Sequence, residues 1–121
     1  MYLEIKSEDS YGEKITQKFE AEKITYPKGI VYKYKDEYSE NSIYKYSSTI
    51  KILRKGSITT NQVFKLGEKT TFFYETPYLQ KRMEIKTEKM EIKDGMIKIV
   101  YKIFENNEIL NMINIKIKEK R

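Results

Sequence analysis

The sequence predicts an all-β protein, an antiparallel up-and-down barrel of about 8–10 strands formed by a single domain over residues 1–121. Three observations predict it. Apolar and polar residues alternate at period two along most of the chain, as in Ile97-Lys98-Ile99-Val100-Tyr101-Lys102-Ile103. Turn dipeptides recur at intervals of roughly 8–12 residues. No stretch shows a convincing helical pattern, even where a heptad echo invites one.

That echo is Met83-Glu84-Ile85-Lys86, repeated as Met90-Glu91-Ile92-Lys93. A coiled coil places apolar residues three and four apart, whereas these fall two and five apart. On a helix, i and i+2 lie on opposite sides; on a strand they share a face. The echo therefore belongs to strands.

In chain order, Leu3 and Ile5 mark a first strand, followed by a polar loop through Ser10-Tyr11-Gly12. Ile15, Gln17, Phe19 and Ala21 share one face of the second. Pro27-Lys28-Gly29 turns into a strand with Ile30, Tyr32 and Tyr34 on one side. Tyr44, Tyr46, Ser48, Ile50 and Ile52 share a face of one long strand. Lys55-Gly56 returns the chain through Ile58, Thr60, Gln62 and Phe64. Leu66-Gly67 precedes Phe72 and Tyr74, and Asp94-Gly95 joins the echo to the Ile97–Ile103 run as a hairpin. Asn106-Asn107 starts the last hairpin, which ends in Ile113, Ile115 and Ile117.

The alternation changes phase twice. Met83 and Ile85 are odd-numbered but Met90 and Ile92 even, which places a bulge near Glu88-Lys89. Ala21 is odd but Ile24 and Tyr26 are even, which places a second slip there. Slips in long strands suit a sheet that curls to closure.

Composition limits the chemistry. The chain has neither cysteine nor histidine, which removes thiolate nucleophiles, disulfides, the commonest general base and most transition-metal sites. No phosphate loop, nucleophile elbow or calcium loop is present. The acidic pairs Glu8-Asp9 and Asp36-Glu37 sit at turns, and nothing sets two carboxylates across a cleft. No catalytic residue, metal ligand or cofactor is therefore expected, and the reading is non-enzymatic. The N-terminus carries charges where a signal peptide needs an apolar run, and no segment reaches membrane-span length, so a cytoplasmic protein is expected. The net charge of +6 rests on 24 basic residues, of which only Arg54, Arg82 and Arg121 are arginine. A lysine surface of this kind reads first as solvation and second as a polyanion patch.

Two constellations stand out. Alternation through Ile52 carries Arg54 to the inward face at a strand end. Its guanidinium stays charged and needs a partner. Tyr74, Thr76 and Tyr101 read as inward on neighbouring strands and offer hydroxyls. Together these four form a candidate interior site for a small anionic or amphipathic ligand, held by the arginine fork. The alternative is that Arg54 merely closes a barrel end against a carboxylate or backbone carbonyls. The second constellation, Thr25–Ser47, interleaves tyrosine with lysine as single-strand nucleic-acid platforms do. The parity of Tyr32, Tyr34, Tyr44 and Tyr46 instead favours rings buried in the barrel.

Arg54-Lys55-Gly56, Phe64, Tyr74-Glu75-Thr76-Pro77-Tyr78 and Thr87, together with "IKIVYKI" and "MINIKIKE", form a pattern that resembles the YwiB-like family of small bacterial proteins. The resemblance covers residues 48–119 closely and the rest in strand rhythm alone. It implies a calycin-type, lipocalin-like barrel and carries over no activity. Leu79 stands where that family tends to have glycine, so the turn there is expected to be strained or rebuilt. The leading expectation is a binding protein for a small ligand inside the barrel. The competing one is an interaction protein that takes RNA or a protein partner on its lysine-rich wall or an open strand edge, and a homodimer through such an edge stays open.

Overall fold

A computed structural model describes residues 1–121. It has ten strands and no helix: β1 (Tyr2–Asp9), β2 (Lys14–Tyr26), β3 (Gly29–Lys35), β4 (Ser39–Lys45), β5 (Thr49–Gly56), β6 (Thr60–Lys65), β7 (Lys69–Glu75), β8 (Gln80–Lys93), β9 (Met96–Glu105) and β10 (Glu108–Lys120). No helix long and apolar enough to cross a membrane is present.

The strand order is β6-β5-β4-β3-β2-β1-β10-β9-β8-β7, with every ladder antiparallel. Each strand pairs with its sequence neighbours, and β1 and β10 zip together at Ile5 and Ile117. The two edges, β6 and β7, meet at a seam stitched in two places. Thr59 and Glu75 exchange backbone hydrogen bonds of 2.8 and 3.0 Å, and the Gly67 N–H donates to the Thr87 carbonyl at 2.8 Å. The result is a nearly closed up-and-down barrel.

The expected bulge in β8 lies between Thr87 and Lys89, and it lets Met83 and Ile85 face inward before it and Met90 and Ile92 after it. The expected slip in β2 does not occur. The β2–β3 ladder runs unbroken from Ala21 to Tyr26, so Lys23 pairs with Tyr32 on the inner side and Ile24 with Val31 on the outer. An inward lysine is tolerated because it sits at the barrel rim, 2.7 Å from the Glu119 carboxylate. β10 carries a further irregularity between Ile109 and Asn111. The β1–β2 loop is latched onto it: the Tyr11 hydroxyl donates to the Leu110 carbonyl at 2.9 Å and the Ser10 hydroxyl to Asn111 at 2.8 Å.

The expected long strand through Tyr44 and Ile52 is instead two. Tyr46-Ser47-Ser48 forms a turn, closed by a Tyr46 N–H to Thr49 carbonyl bond of 3.0 Å. The turn reverses the parity, so Ser39, Asn41, Ile43 and Lys45 face inward on β4 and Ile50, Ile52 and Arg54 on β5. Tyr44 and Tyr46 therefore stand on the outer wall, while Tyr32 and Tyr34 face inward as expected.

Candidate functional site

The barrel interior is divided along its axis. Toward the β2–β3, β4–β5, β6–β7 and β8–β9 turns it is solid: Leu3, Ile50, Phe64, Ile85 and Ile99 are fully buried. Buried polar groups plug this end. Lys45 donates to the Lys93 carbonyl, and the Glu119 carboxylate holds the Lys23 ammonium at 2.7 Å. Burial first, then the Glu119 charge, pushes the Tyr32 phenol well above the usual tyrosine range.

The opposite end is a cup. A cavity of about 430 Å³ is lined by residues from all ten strands, a size within the ~300–1,000 Å³ usual for small-ligand pockets. Its floor is Ile43, Phe72, Tyr101 and Ile117, with Phe64 packed edge-on beneath Tyr101 at 4.8 Å between centroids. Its walls are mostly Ile5, Ile52, Met83, Ile103, Ile113 and Ile115. Polar side chains gather toward the mouth: Gln17, Asp36, Asn41, Arg54, Thr60, Gln62 and Tyr74.

Arg54 is placed there by a local sequence cause. A Cβ on Gly56 would run into the Tyr38 carbonyl and come within 2.8 Å of Ser39 Cβ, so only glycine lets the Asp36–Ser39 loop close over the end of β5. That loop brings Ser39 Oγ to 3.0 Å from Arg54 Nε and Asp36 Oδ2 to 3.9 Å from Nη2. Asp36 is itself held firmly. Its Oδ1 accepts from the Tyr38 and Ser39 backbone N–H groups at 2.9 and 2.8 Å and from Ser39 Oγ at 2.8 Å. Burial alone would raise its pKa, but these bonds and one from Asn41 outweigh it and hold the carboxyl below its ordinary value. The terminal amino groups of Arg54 donate no hydrogen bond within the protein, because the Asp36 contact is beyond bonding distance. Burial, with the Asp36 carboxylate adding to it and Arg54 opposing, pushes Tyr34 up to about 12, and burial alone pushes Tyr101 to about 12. Both phenols are neutral donors at neutral pH.

Of the four residues singled out from sequence, the structure brings Arg54, Tyr74 and Tyr101 to one cavity. Thr76 lies outside it, in the β7–β8 turn. Its hydroxyl accepts the Tyr78 and Leu79 N–H groups at 3.2 Å each, and its own N–H donates to the Leu79 carbonyl at 2.9 Å. Asp36, Asn41 and Tyr34 were missed as members of the mouth. Asn41 shows its side only once the turn at Tyr46–Ser48 is known, and Asp36 is a loop residue beyond the reach of alternation. No group of three or more acidic, cysteine or histidine side chains converges to hold a metal ion.

The model of a domain of unknown function, DUF1934, matches residues 3–117. The chain belongs to this family. Among solved structures, the DUF1934 chain is similar to the YwiB protein from Bacillus subtilis, with a TM-score of 0.83 at 16% identity, over 99% of this chain and 91% of that one. At that identity the likeness speaks for the fold alone. No curated protein sequence matches the chain.

Several residues of the family-like pattern serve to close the DUF1934 barrel. Gly56 admits the loop beside Arg54, Thr76 ties the β7–β8 turn, and Thr87 sits fully buried where the seam is stitched. Leu79 is not strained. Asn106 and Asn107, at the β9–β10 hairpin, are the only non-glycine residues with positive φ, so the Thr76 hydroxyl turn has replaced whatever a glycine would supply.

Proposed function

We propose that this protein is a non-enzymatic binder of a small amphipathic anion, acting in the cytoplasm. The ligand's apolar part lies in the isoleucine-lined cup and its carboxylate or phosphate reaches Arg54. The observation that carries this reading is the cup itself: an unfilled, mostly apolar interior whose mouth holds a guanidinium with free terminal donors. Burying a hydrocarbon chain against such walls contributes about 25 cal/mol for each Å² of apolar surface removed from water. A charge-assisted fork at the mouth adds orientation. Tyr74 and the neutral phenols of Tyr34 and Tyr101 supply further donors.

Calorimetry with dodecanoate and dodecanol as probes tests the reading. The expected result is that dodecanoate binds more tightly, and that Arg54→Met keeps the fold and removes the preference for the acid. Unfolding of Arg54→Met would favour an arginine that only closes the mouth. Failure of either probe to bind the folded wild-type chain at millimolar concentration would overturn the reading. Native mass spectrometry of protein purified from its own cells would show any resident ligand directly.

A further inference from the structure

The outer wall carries a second hollow, of about 420 Å³, over β3 and β4 near the solid end. Its floor is Val31, buried although it faces outward, and its sides are Tyr26, Pro27, Tyr44 and Tyr46. Gly29 makes room for it: a Cβ there would meet the Lys45 carbonyl and stand 3.1 Å from the Tyr46 ring. Tyr44 and Tyr46, two positions apart on the outer side, hold their rings within 16° of parallel with centroids 6.4 Å apart. Two near-parallel rings side by side form an aromatic platform of the kind on which successive bases stack.

The charged residues that line the hollow are of one sign. Lys28 and Lys33 line it, and the Lys51 ammonium sits 5.3 Å from the Tyr44 centroid. None of the nine lining residues is acidic. The nearest carboxylate by register is Glu22, opposite Lys33 and outside the lining. In sequence, no Asp or Glu occurs between Glu40 and Glu68, a stretch that forms most of β4 to β6 and carries Lys51, Lys55 and Lys65 on its outer side. An acid-free run is unusual in a chain that otherwise intermixes its charges.

We propose that this face docks single-stranded nucleic acid, with bases stacking on Tyr44 and Tyr46 and with Lys28, Lys33 and Lys51 taking the flanking phosphates. Stacking on tyrosine needs an exposed base face, which a duplex does not offer, and it tolerates any base, so recognition is of single strands without sequence preference. A neutral proline-rich peptide also stacks on tyrosine but gains nothing from the lysines.

Fluorescence anisotropy of the full chain with labelled oligouridylate and a matched duplex tests this. The single strand is expected to bind at ~50 mM salt, more tightly than the duplex, and to weaken steeply toward ~200 mM. Tyr44→Ala with Tyr46→Ala should weaken binding by about tenfold or more and leave the salt slope unchanged. Lys28→Gln with Lys51→Gln, a pair of surface changes that spares the rings, should lower the slope by about 0.7 per lysine. Lys98→Gln with Lys116→Gln on another wall should change the affinity less than the variants of the hollow. No binding at low salt, equal binding of the duplex, or sensitivity only to the Lys98 and Lys116 pair would overturn the proposal.

Discussion

The two halves of this barrel obey one rule of alternation and reach opposite outcomes. At the solid end the inward positions are Leu3, Ile50, Phe64, Ile85, Ile97 and Ile99, which interdigitate, and the Lys23–Glu119 ion pair and the Lys45 bond to the Lys93 carbonyl lie at the rim. At the cup end, inward positions on four strands are given to Gln17, Asn41, Arg54, Thr60 and Gln62. Such side chains keep their polar tips toward water and do not fill an apolar interior. Isoleucines on the remaining strands are left facing space. One end is close-packed, and the other keeps an open space lined by half-buried side chains.

Paired truncations give the largest expected difference. Ile99→Ala removes a fully buried side chain from close-packed surroundings and is expected to cost about 2–5 kcal/mol. Ile113→Ala, on the cup wall, enlarges an existing space and is expected to cost under about 1 kcal/mol. Urea unfolding at constant m-value measures both. Equal losses would mean that the cup collapses around its own side chains and that the comparison is wrong.

Alkaline titration gives the next largest effect. Tyr101, between floor and core, has its pKa raised from 10.0 to about 12. A phenol held neutral by the fold stabilises it fully below pH 10, and the contribution is lost as pH rises from 10 through 12. For this buried ring the loss is on the order of 2–3 kcal/mol. Tyr34 follows the same sign in the same window, while Tyr32, next to Glu119, ionises later still. Tyrosinate absorbance near 295 nm, read beside circular dichroism, should show Tyr34 and Tyr101 ionising as the structure melts, and Tyr101→Phe should move the midpoint to higher pH. A probe seated in the cup should delay the titration of Tyr34 and Tyr101.

Much of this division was legible in the sequence. The inward parity of Ile97, Ile99 and Tyr101, the hairpins at Asp94-Gly95 and Asn106-Asn107, and the β8 bulge all follow from period two and from what turns demand. So did the inward Arg54, because Ile50 and Ile52 fix its side whatever precedes them. Two errors share one cause, the preference for apolar residues inside. Placing Ile24 inward required a slip in β2 that is absent, because an ion pair at the rim makes Lys23 acceptable. Placing Tyr44 and Tyr46 inward required a continuous strand where a serine turn reverses direction. Ser47-Ser48-Thr49 is only a weak turn signal beside glycine, proline or asparagine, and the apparent period-two run from Tyr44 to Ile52 outweighed it. The mouth was only half visible, because Asp36 acts from a loop, where alternation says nothing, and for the same reason Thr76 was placed inward when it ties a turn.

The smallest expected effect is on the outer wall, where the two halves should not differ. Lys6, Lys116 and Lys98 lie directly opposite one another across β1, β10 and β9. Like charges in such register repel, and Lys118, Lys98 and Lys6 together lower the pKa of Lys116. Lys116→Gln is therefore expected to raise the urea midpoint slightly, and the gain should fade as added salt screens the row. Because the folded pKa lies below the unfolded one, wild-type stability from this site rises with pH just below 10.5, opposite in sign to the tyrosines and absent from the variant. Dodecanoate affinity in the cup should be unchanged. If Lys116→Gln alters it, the wall and the interior are coupled, and the cup is not the independent space that its packing describes.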